Sequence, residues 1–194
     1  MSDELDPRIE RSRRVITEAA LEEMADAGYG AMTVEGIAKR AGVSKATIYR
    51  HWSGKLEIVE AALEQLKSTM IFDESAPPRA RLTQLITWLA DYVGNVDDSS
   101  SACVPAMVSA AQSYPAVRAF HHRFSSSRRQ VLTDMVIEGQ AVGVIDRDLD
   151  PQLTAELLVG PIFYRRLMTA TPFLSKDVPA LVDAVLGPVA AHAD

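Results

Sequence analysis

Apolar residues recur every three or four positions along most of the chain, which is the spacing expected of helices with one buried face. The pattern is clearest in residues 59–70 and 82–96, where leucines, valines and other apolar side chains share one helical face. No segment alternates between apolar and polar residues in the way that predicts a β-strand. The periodicity therefore predicts an all-α fold of about nine helices.

Turn-forming and capping residues predict where these helices begin and end. Asp6 followed by Pro7 suits the start of the first helix, and Gly28 and Gly30 are expected to break it before Thr33. Prolines, glycines and polar loops predict the further boundaries. These are a linker at 73–78, a loop at 97–101, a short helix at 103–113, a long helix from 115 to about 143, a helix from 150 onwards and a last helix at about 177–192.

The segment from Thr33 to Lys55 contains two short helical patterns separated by a turn. Thr33 and Ser44 are suited to cap the two helices, because their hydroxyl groups can accept a backbone N–H at a helix start. Gly42 suits the left-handed conformation that commonly ends a helix. This order of elements is typical of a helix-turn-helix, whose second helix, here residues 45–50, enters the major groove of DNA.

The distribution of charge supports a DNA-binding segment at one end of the chain. Residues 36–55 contain no acid and five basic residues, namely Lys39, Arg40, Lys45, Arg50 and Lys55. The whole chain has a formal net charge of −6, whereas the basic and acidic residues of 1–56 cancel. A local cationic strip on an acidic protein indicates that one end alone meets phosphates.

Positions near the start of the second helix predict the residues that contact DNA. Base edges are in reach of the outward side chains, so Lys45 or Arg50 can donate to guanine, and Ala46 or Thr47 can touch a thymine methyl group. Phosphate contacts are expected from a second set of residues, and Ser44 is expected to cap the second helix. They are Thr33, Tyr49, His51 and Lys55, while Arg11, Arg13 and Arg14 either add backbone contacts or form a solvated cationic face.

The same residues resemble the TetR family of transcriptional regulators. The resemblance covers roughly residues 8–66 and is carried by Ile37-Ala38, Ala41-Gly42-Val43, Thr47-Ile48-Tyr49, His51-Trp52 and Lys55. Many members place an acid directly after this lysine, whereas here Leu56 follows and the acid is Glu57. The resemblance implies a helix-turn-helix DNA-binding domain at 1–54 and a helical effector-binding and dimerisation domain at 55–194.

It further implies a homodimeric regulator, most simply a repressor, that binds a palindromic operator and is released by a small molecule. The last two helices would then pair with their copies in a second chain, although two amphipathic helices can also simply complete a core. The expected interface residues lie on one face of each helix. They are Leu153, Leu157, Pro161, Tyr164 and Met168, and Val178, Leu181, Val182, Val185 and Val189.

Large side chains in the middle of the chain can form either ordinary core or the lining of a pocket. The resemblance favours an effector pocket, and the candidate lining residues share bulk and helical spacing. They are Trp88, Tyr92, Met107, Phe120, Phe124 and Met135. Nothing in this part of the sequence identifies the effector.

Other classes of function find little support in the sequence. His121 and His122 are adjacent on a helix and point about 100° apart, so they cannot readily share a metal ion. No catalytic or phosphate-loop motif occurs, and we expect neither enzyme activity, nor a cofactor, nor a metal. No apolar run predicts a membrane span or signal peptide, and Cys103 is a single thiol, so a cytoplasmic location is expected.

Two alternatives to a ligand-responsive regulator remain open. One is a constitutive or architectural DNA-binding protein whose body is filled by side chains. The other is a helical-bundle enzyme or binding protein whose first helices no longer contact DNA, against which the acid-free basic run argues.

Overall fold

A computed structural model describes residues 7–68, 73–95 and 99–188, and the regular elements within these ranges are all helical. This confirms the all-α prediction. The described elements are α1 (Pro7–Ala31), α2 (Val34–Ala41), α3 (Lys45–Tyr49), α4 (Lys55–Ser68), α5 (Pro78–Gly94), α6 (Ser99–Ser113), α7 (Pro115–Ala141), α8 (Pro151–Met168), a 3₁₀ turn (Ser175–Asp177) and α9 (Val178–Leu186). No helix within the described ranges is both long and apolar enough to cross a membrane.

The structure shifts several predicted boundaries. Helix α6 begins at Ser99, inside the predicted loop, and Ser101 is fully buried; tertiary packing here overrides the weak helix propensity of serine. Helix α9 ends at Leu186 rather than near residue 192, because Gly187 has a φ of 77° and a proline follows it. The predicted cap Asp6 lies outside the described residues.

Helix α1 consists of two helical segments that meet at Gly28. This residue has φ 72° and ψ 157°, a conformation that is accessible to glycine and strained for other residues. The amide of Met32 still donates to the Gly28 carbonyl at 3.0 Å, so the chain leaves α1 with its last turn closed. The sequence predicted the break at Gly28 correctly, whereas Gly30 lies within the helical segment that follows it.

The chain forms two compact units. The first contains the described residues of 1–69 and 97–121, in which α1 packs against α2, α4 and α6. Its core is made of fully buried aliphatic and sulfur-containing side chains. They include Ile16, Met24, Met32, Ile37, Ile48, Ile58 and Val59. Burying one such side chain contributes about 1.5–3 kcal/mol, so this core fixes how α2 and α3 sit on α1.

The second unit contains the described residues of 70–96 and 122–194, in which α5, α8 and α9 pack on one another. Its core includes Leu82, Ile86, Val136, Leu158, Ile162 and Val178. Arg79 ties the start of α5 to the end of α9 by donating to Asp183 at 2.7 Å and to the Gly187 carbonyl at 2.5 Å.

Candidate DNA-binding surface

The turn between α2 and α3 has the conformation that its sequence predicts. Thr33 caps α2 by accepting the Gly36 amide at 2.9 Å, and Ser44 caps α3 by accepting the Thr47 amide at 3.1 Å. Between them Gly42 adopts a left-handed conformation, with φ 67° and ψ 29°. Next to it, the Val43 amide donates to the Ala38 carbonyl at 3.0 Å, which closes the end of α2.

Helix α3 buries one side chain and presents the others outward. Ile48 is fully buried, while Ala46 and Arg50 are exposed and the Tyr49 side chain is 56% exposed. Thr47 is half-buried, and its hydroxyl group lies 2.9 Å from that of Ser44. The outward side chains are those that the sequence predicts for DNA contact, and their accessibility is what such contacts require.

Lys45, the first residue of α3, forms an ion pair with Glu35, the second residue of α2. The hydrogen bond and charge of Glu35 raise the pKa of Lys45, and the same hydrogen bond lowers the pKa of Glu35. Glu35 lies one residue before the acid-free run 36–55, so the linear pattern does not indicate its proximity to Lys45. The structure therefore places one carboxylate beside the predicted base-contacting lysine.

Arg40 is committed to the packing of α2 against α1. Its guanidinium donates to Glu23 at 3.1 Å and to Asp26 at 2.7 Å, and lies 3.6 Å from Glu22. The hydrogen bonds to Glu23 and Asp26 raise the pKa of Arg40. In contrast, Lys39 is exposed and forms no ion pair within the described part of the chain, as is also true of Arg50.

Lys55, for which the sequence suggests a phosphate contact, forms hydrogen bonds within the chain. Its ammonium group donates to the carbonyls of Tyr29 at 2.6 Å, Met32 at 3.0 Å and Gly30 at 3.3 Å. It also lies 4.5 Å from the centre of the Tyr29 ring, and burial lowers its pKa. An ammonium has three donors, and all three are used here, so Lys55 joins the start of α4 to the end of α1.

Tyr29 itself is held by an aromatic contact with Tyr114, which precedes α7. The ring centres are 5.1 Å apart in an edge-to-face arrangement. A Cβ atom at Gly30 would lie 2.7 Å from the Tyr114 hydroxyl, so a larger residue at position 30 would displace the Tyr114 ring. The carbonyl cluster that binds Lys55 is therefore positioned by residues from α1 and from the α6–α7 turn.

His51 and Trp52 follow α3, and Trp52 contacts Arg13 of α1. Trp52 is buried, as predicted, with the Arg13 guanidinium 5.5 Å from its ring centre. His51 is half-buried and its ring centre lies 5.5 Å from that of Trp52. Arg14 forms an exposed ion pair with Glu18 at 3.9 Å. Two arginines of the predicted cationic arm therefore have partners within the chain, Arg13 with Trp52 and Arg14 with Glu18.

Glu57 caps α4. It is the acid that lies one position later in this chain than in many TetR-like sequences. It accepts the Ser53 amide at 2.8 Å and the Ser53 hydroxyl group, and both hydrogen bonds lower the pKa of Glu57. A carboxylate near a helix start also interacts favourably with the helix dipole. The shift of the acid from position 56 to position 57 thus leaves it able to stabilise the start of this helix.

The candidate effector residues divide between the two units. Met107 and Phe120 are buried in the first unit, whereas the other four belong to the second. Trp88 and Tyr92 stack with ring centres 5.5 Å apart, and Arg128 lies 4.7 Å from the Phe124 ring centre. Met135 lines a cleft of about 370 Å³.

The cleft around Met135 is open, and most of its lining residues are charged. It is also lined by Glu74, Arg81, Val131, Asp134 and Glu138. Arg81 forms an ion pair with Glu138, and its buried Nε has no hydrogen-bond partner within the described residues. Three carboxylates and one guanidinium give the cleft a net negative charge, which disfavours a polyanionic ligand at this point.

Helix α8 has two distinct apolar faces. Ala155, Leu158 and Ile162 are buried in the core of the second unit, whereas another face remains exposed. The exposed face contains Leu153, Leu157, Tyr164 and Met168, with exposed fractions of 51–72%, and half-buried Pro161.

In α9 the predicted interface residues differ in burial. Val178 and Val182 are buried in the chain's own core, with exposed fractions of 0% and 2%, so they offer almost no surface to a second chain. Leu181 and Val185 pack partly on this core, and Val189 lies outside the described residues.

Comparison with known proteins matches both parts of the chain. Residues 16–62 match the model of the tetR family of bacterial regulatory proteins, and residues 81–185 match that of the tetracyclin repressor-like C-terminal domain. YdeS, an HTH-type transcriptional regulator of Bacillus subtilis strain 168, is 29% identical over 165 residues, which are 84% of this chain and 82% of YdeS.

Solved structures share the fold at lower sequence identity. The regulator FadR from Bacillus subtilis in complex with stearoyl-CoA is 22% identical, with a TM-score of 0.71 over 90% of this chain and 98% of FadR. AibR in complex with isovaleryl coenzyme A and operator DNA is 19% identical, with a TM-score of 0.66 over 91% of this chain and 99% of AibR.

Proposed function

The chain belongs to the TetR family of DNA-binding transcriptional regulators, and from that premise we propose that it acts as a homodimeric repressor on a palindromic operator. The observation that carries this proposal is the capped α2–turn–α3 segment, which buries Ile48 and leaves Tyr49 and Arg50 accessible. Such a repressor acts in the cytoplasm, where its operator lies, and blocks polymerase sterically.

The DNA contacts belong to the same proposal. Lys45, Ala46, Thr47 and Arg50 read base edges, while Tyr49 and His51 contact phosphates together with the caps Thr33 and Ser44. Lys39 joins the phosphate set because it is exposed and has no ion pair within the described part of the chain.

The exposed face of α8 supports a dimer. An apolar stripe of this length on one helix is costly to leave in water, and a second copy related by a two-fold axis covers it with the same stripe. A two-fold dimer also presents two copies of α3 to DNA, which explains why a palindromic operator is expected. We propose that the DNA-binding domain ends at residue 54 and that the effector-binding and dimerisation domain begins at residue 55.

Release by a small molecule completes the proposed mechanism. An effector that binds better to the dimer with widely spaced recognition helices shifts the population away from the DNA-bound form. Acyl-CoA thioesters are the first class to test, because FadR and AibR share the fold and were solved with such ligands. The acidic cleft near Met135 is unsuited to CoA phosphates, so those phosphates would bind elsewhere on the protein.

The first test is selection of bound sequences from random duplex DNA. We expect a palindrome whose half-sites are about one helical turn apart, or about 10 base pairs between centres. The selected duplex then serves as the probe in a titration with acyl-CoAs, in which saturable release supports effector control. Recovery of no motif, with weak salt-sensitive binding alone, would contradict the proposed function.

Substitutions in α3 test the division between base and phosphate contacts. Arg50→Ala should weaken binding to the selected operator by about 5- to 100-fold and relax preference at particular base pairs. Tyr49→Phe should weaken binding to all sequences by one smaller, uniform factor, because it removes a phosphate contact. Repeating the selection with each variant checks this, and a uniform loss for both would contradict the division.

A further inference from the structure

The first cation of α3 does not stand alone on the DNA-facing surface. The ammonium of Lys45 is bonded to Oε1 of Glu35, a residue of α2. The side chains are 51% and 70% exposed, respectively, so this ion pair lies at the surface rather than in the core. Because the two residues are ten positions apart and on different helices, the left-handed turn at Gly42 is what brings them together.

The ion pair leaves Lys45 able to read a base. An ammonium carries three donors, and Glu35 takes one of them, so two remain for acceptors such as O6 and N7 of guanine. An unrestrained lysine side chain has a flexible four-carbon stem and binds phosphates as a point charge in any register. Glu35 restricts the direction of that stem.

One neighbouring cation, Arg40, is bonded elsewhere, and both members of the ion pair stay charged. Lys39 lies four residues after Glu35 on α2, and Tyr49 lies four residues after Lys45 on α3, so each is on the same helical face as its predecessor. Arg40 is held by acids of α1 and does not compete for Glu35. The raised pKa of Lys45 and the lowered pKa of Glu35 keep both groups charged at neutral pH.

On the basis of the DNA-binding function proposed above, we propose that Glu35 is a specificity-determining positioning residue. It holds the Lys45 ammonium over base edges, and its negative charge keeps phosphates away from this ammonium on unrelated DNA. Specific interfaces commonly combine such an attractive group with a repulsive one.

Glu35→Gln removes the charge and frees Lys45 to bind phosphates. Affinity for random duplex DNA should rise by about two- to fivefold. This is the range expected when an exposed ion pair no longer competes with DNA phosphates for the Lys45 ammonium. The salt dependence of this non-specific binding should steepen by about one phosphate contact. Affinity for the selected operator should not rise, so discrimination between operator and random DNA falls.

Two controls separate positioning from a general charge effect. Glu64→Gln on α4 makes the same change in net charge away from Lys45, and it should not reduce discrimination. In a Lys45→Met background, Glu35→Gln should have no more effect than Glu64→Gln, because no ammonium is left to be freed.

The outcomes are distinguishable. Equal gains on operator and random DNA, or equal effects of Glu35→Gln and Glu64→Gln, would overturn the proposal. Loss of operator affinity with altered preference at a base pair that Lys45→Met leaves unaffected would also overturn it, since Glu35 would then read a base itself. A wild-type protein without any sequence preference would instead contradict the proposed function.

Discussion

At the scale of single residues, four of the five basic side chains of residues 36–55 divide into two groups. Lys39 and Arg50 are exposed and form no ion pair within the described ranges, whereas Lys55 and Arg40 are bonded to groups of α1. The first group is available to phosphates, and the second stabilises the platform on which α2 and α3 are packed.

Lys55→Met tests this division through stability. The variant loses three charge-assisted hydrogen bonds and the contact with the Tyr29 ring, and it leaves three carbonyls in need of water. Since the site is partly exposed, the free energy of unfolding should fall by about 1–2 kcal/mol, as measured by urea denaturation.

Lys39→Met is the matched control for Lys55→Met. The free energy of unfolding should be unchanged in this variant. Its affinity for DNA should fall, and the slope of log affinity against log salt concentration should become shallower by about one. The opposite pattern, with a stable Lys55 variant and a destabilised Lys39 variant, would show that the assignment of the two lysines is wrong.

At the scale of elements, the turn between α2 and α3 depends on one backbone conformation. Gly42 has φ 67°, and a Cβ atom added there would meet no atom within 4 Å, so steric contacts add nothing to the cost. Gly42→Ala should therefore lower the free energy of unfolding by about 1–2 kcal/mol through backbone strain alone. Gly54→Ala is the control, because Gly54 has no positive φ and equal space; an equal loss at both sites would refute this explanation.

The start of α4 should make a pH-dependent contribution to stability. Hydrogen bonds from Ser53 lower the pKa of Glu57 in the folded state, so its contribution is fully present above the unfolded value of about 4.3 and is lost as pH falls through the folded value. Glu57→Gln should have a lower urea midpoint than the wild type at pH 7, and the difference should shrink as the pH falls below about 4.3. Glu64→Gln, farther along the same helix, should match the wild type at pH 7, and an unchanged midpoint in Glu57→Gln would argue against the cap.

At the scale of the whole molecule, the exposed face of α8 governs the proposed assembly. Leu157→Glu places a carboxylate within the apolar stripe of both copies, so self-association should weaken by about tenfold or more. Sedimentation velocity would show a monomer where the wild type sediments as a dimer. Val142→Glu, at an exposed valine just after α7, should leave the sedimentation unchanged; a monomeric wild type would rule out the dimer.

The sequence by itself determined the helices and the turn. Apolar spacing, the caps Thr33 and Ser44, and the glycines at 28 and 42 act within a few residues of one another, so their effect is visible in a linear pattern. The same local rules failed at Ser99–Ser101 and Gly187, where packing and a positive φ moved helix ends by several residues.

The tertiary structure alone decided which side chains are accessible. Arg40 meets acids 14 and 17 positions earlier, and Lys55 meets carbonyls 23 to 26 positions earlier, because α1 packs beside α2 and α4. Helical spacing likewise could not separate Val178 and Val182, which are buried, from Leu157, which is exposed. Periodicity identifies an apolar face, but the neighbouring helices determine whether that face is buried within the chain or left for a partner.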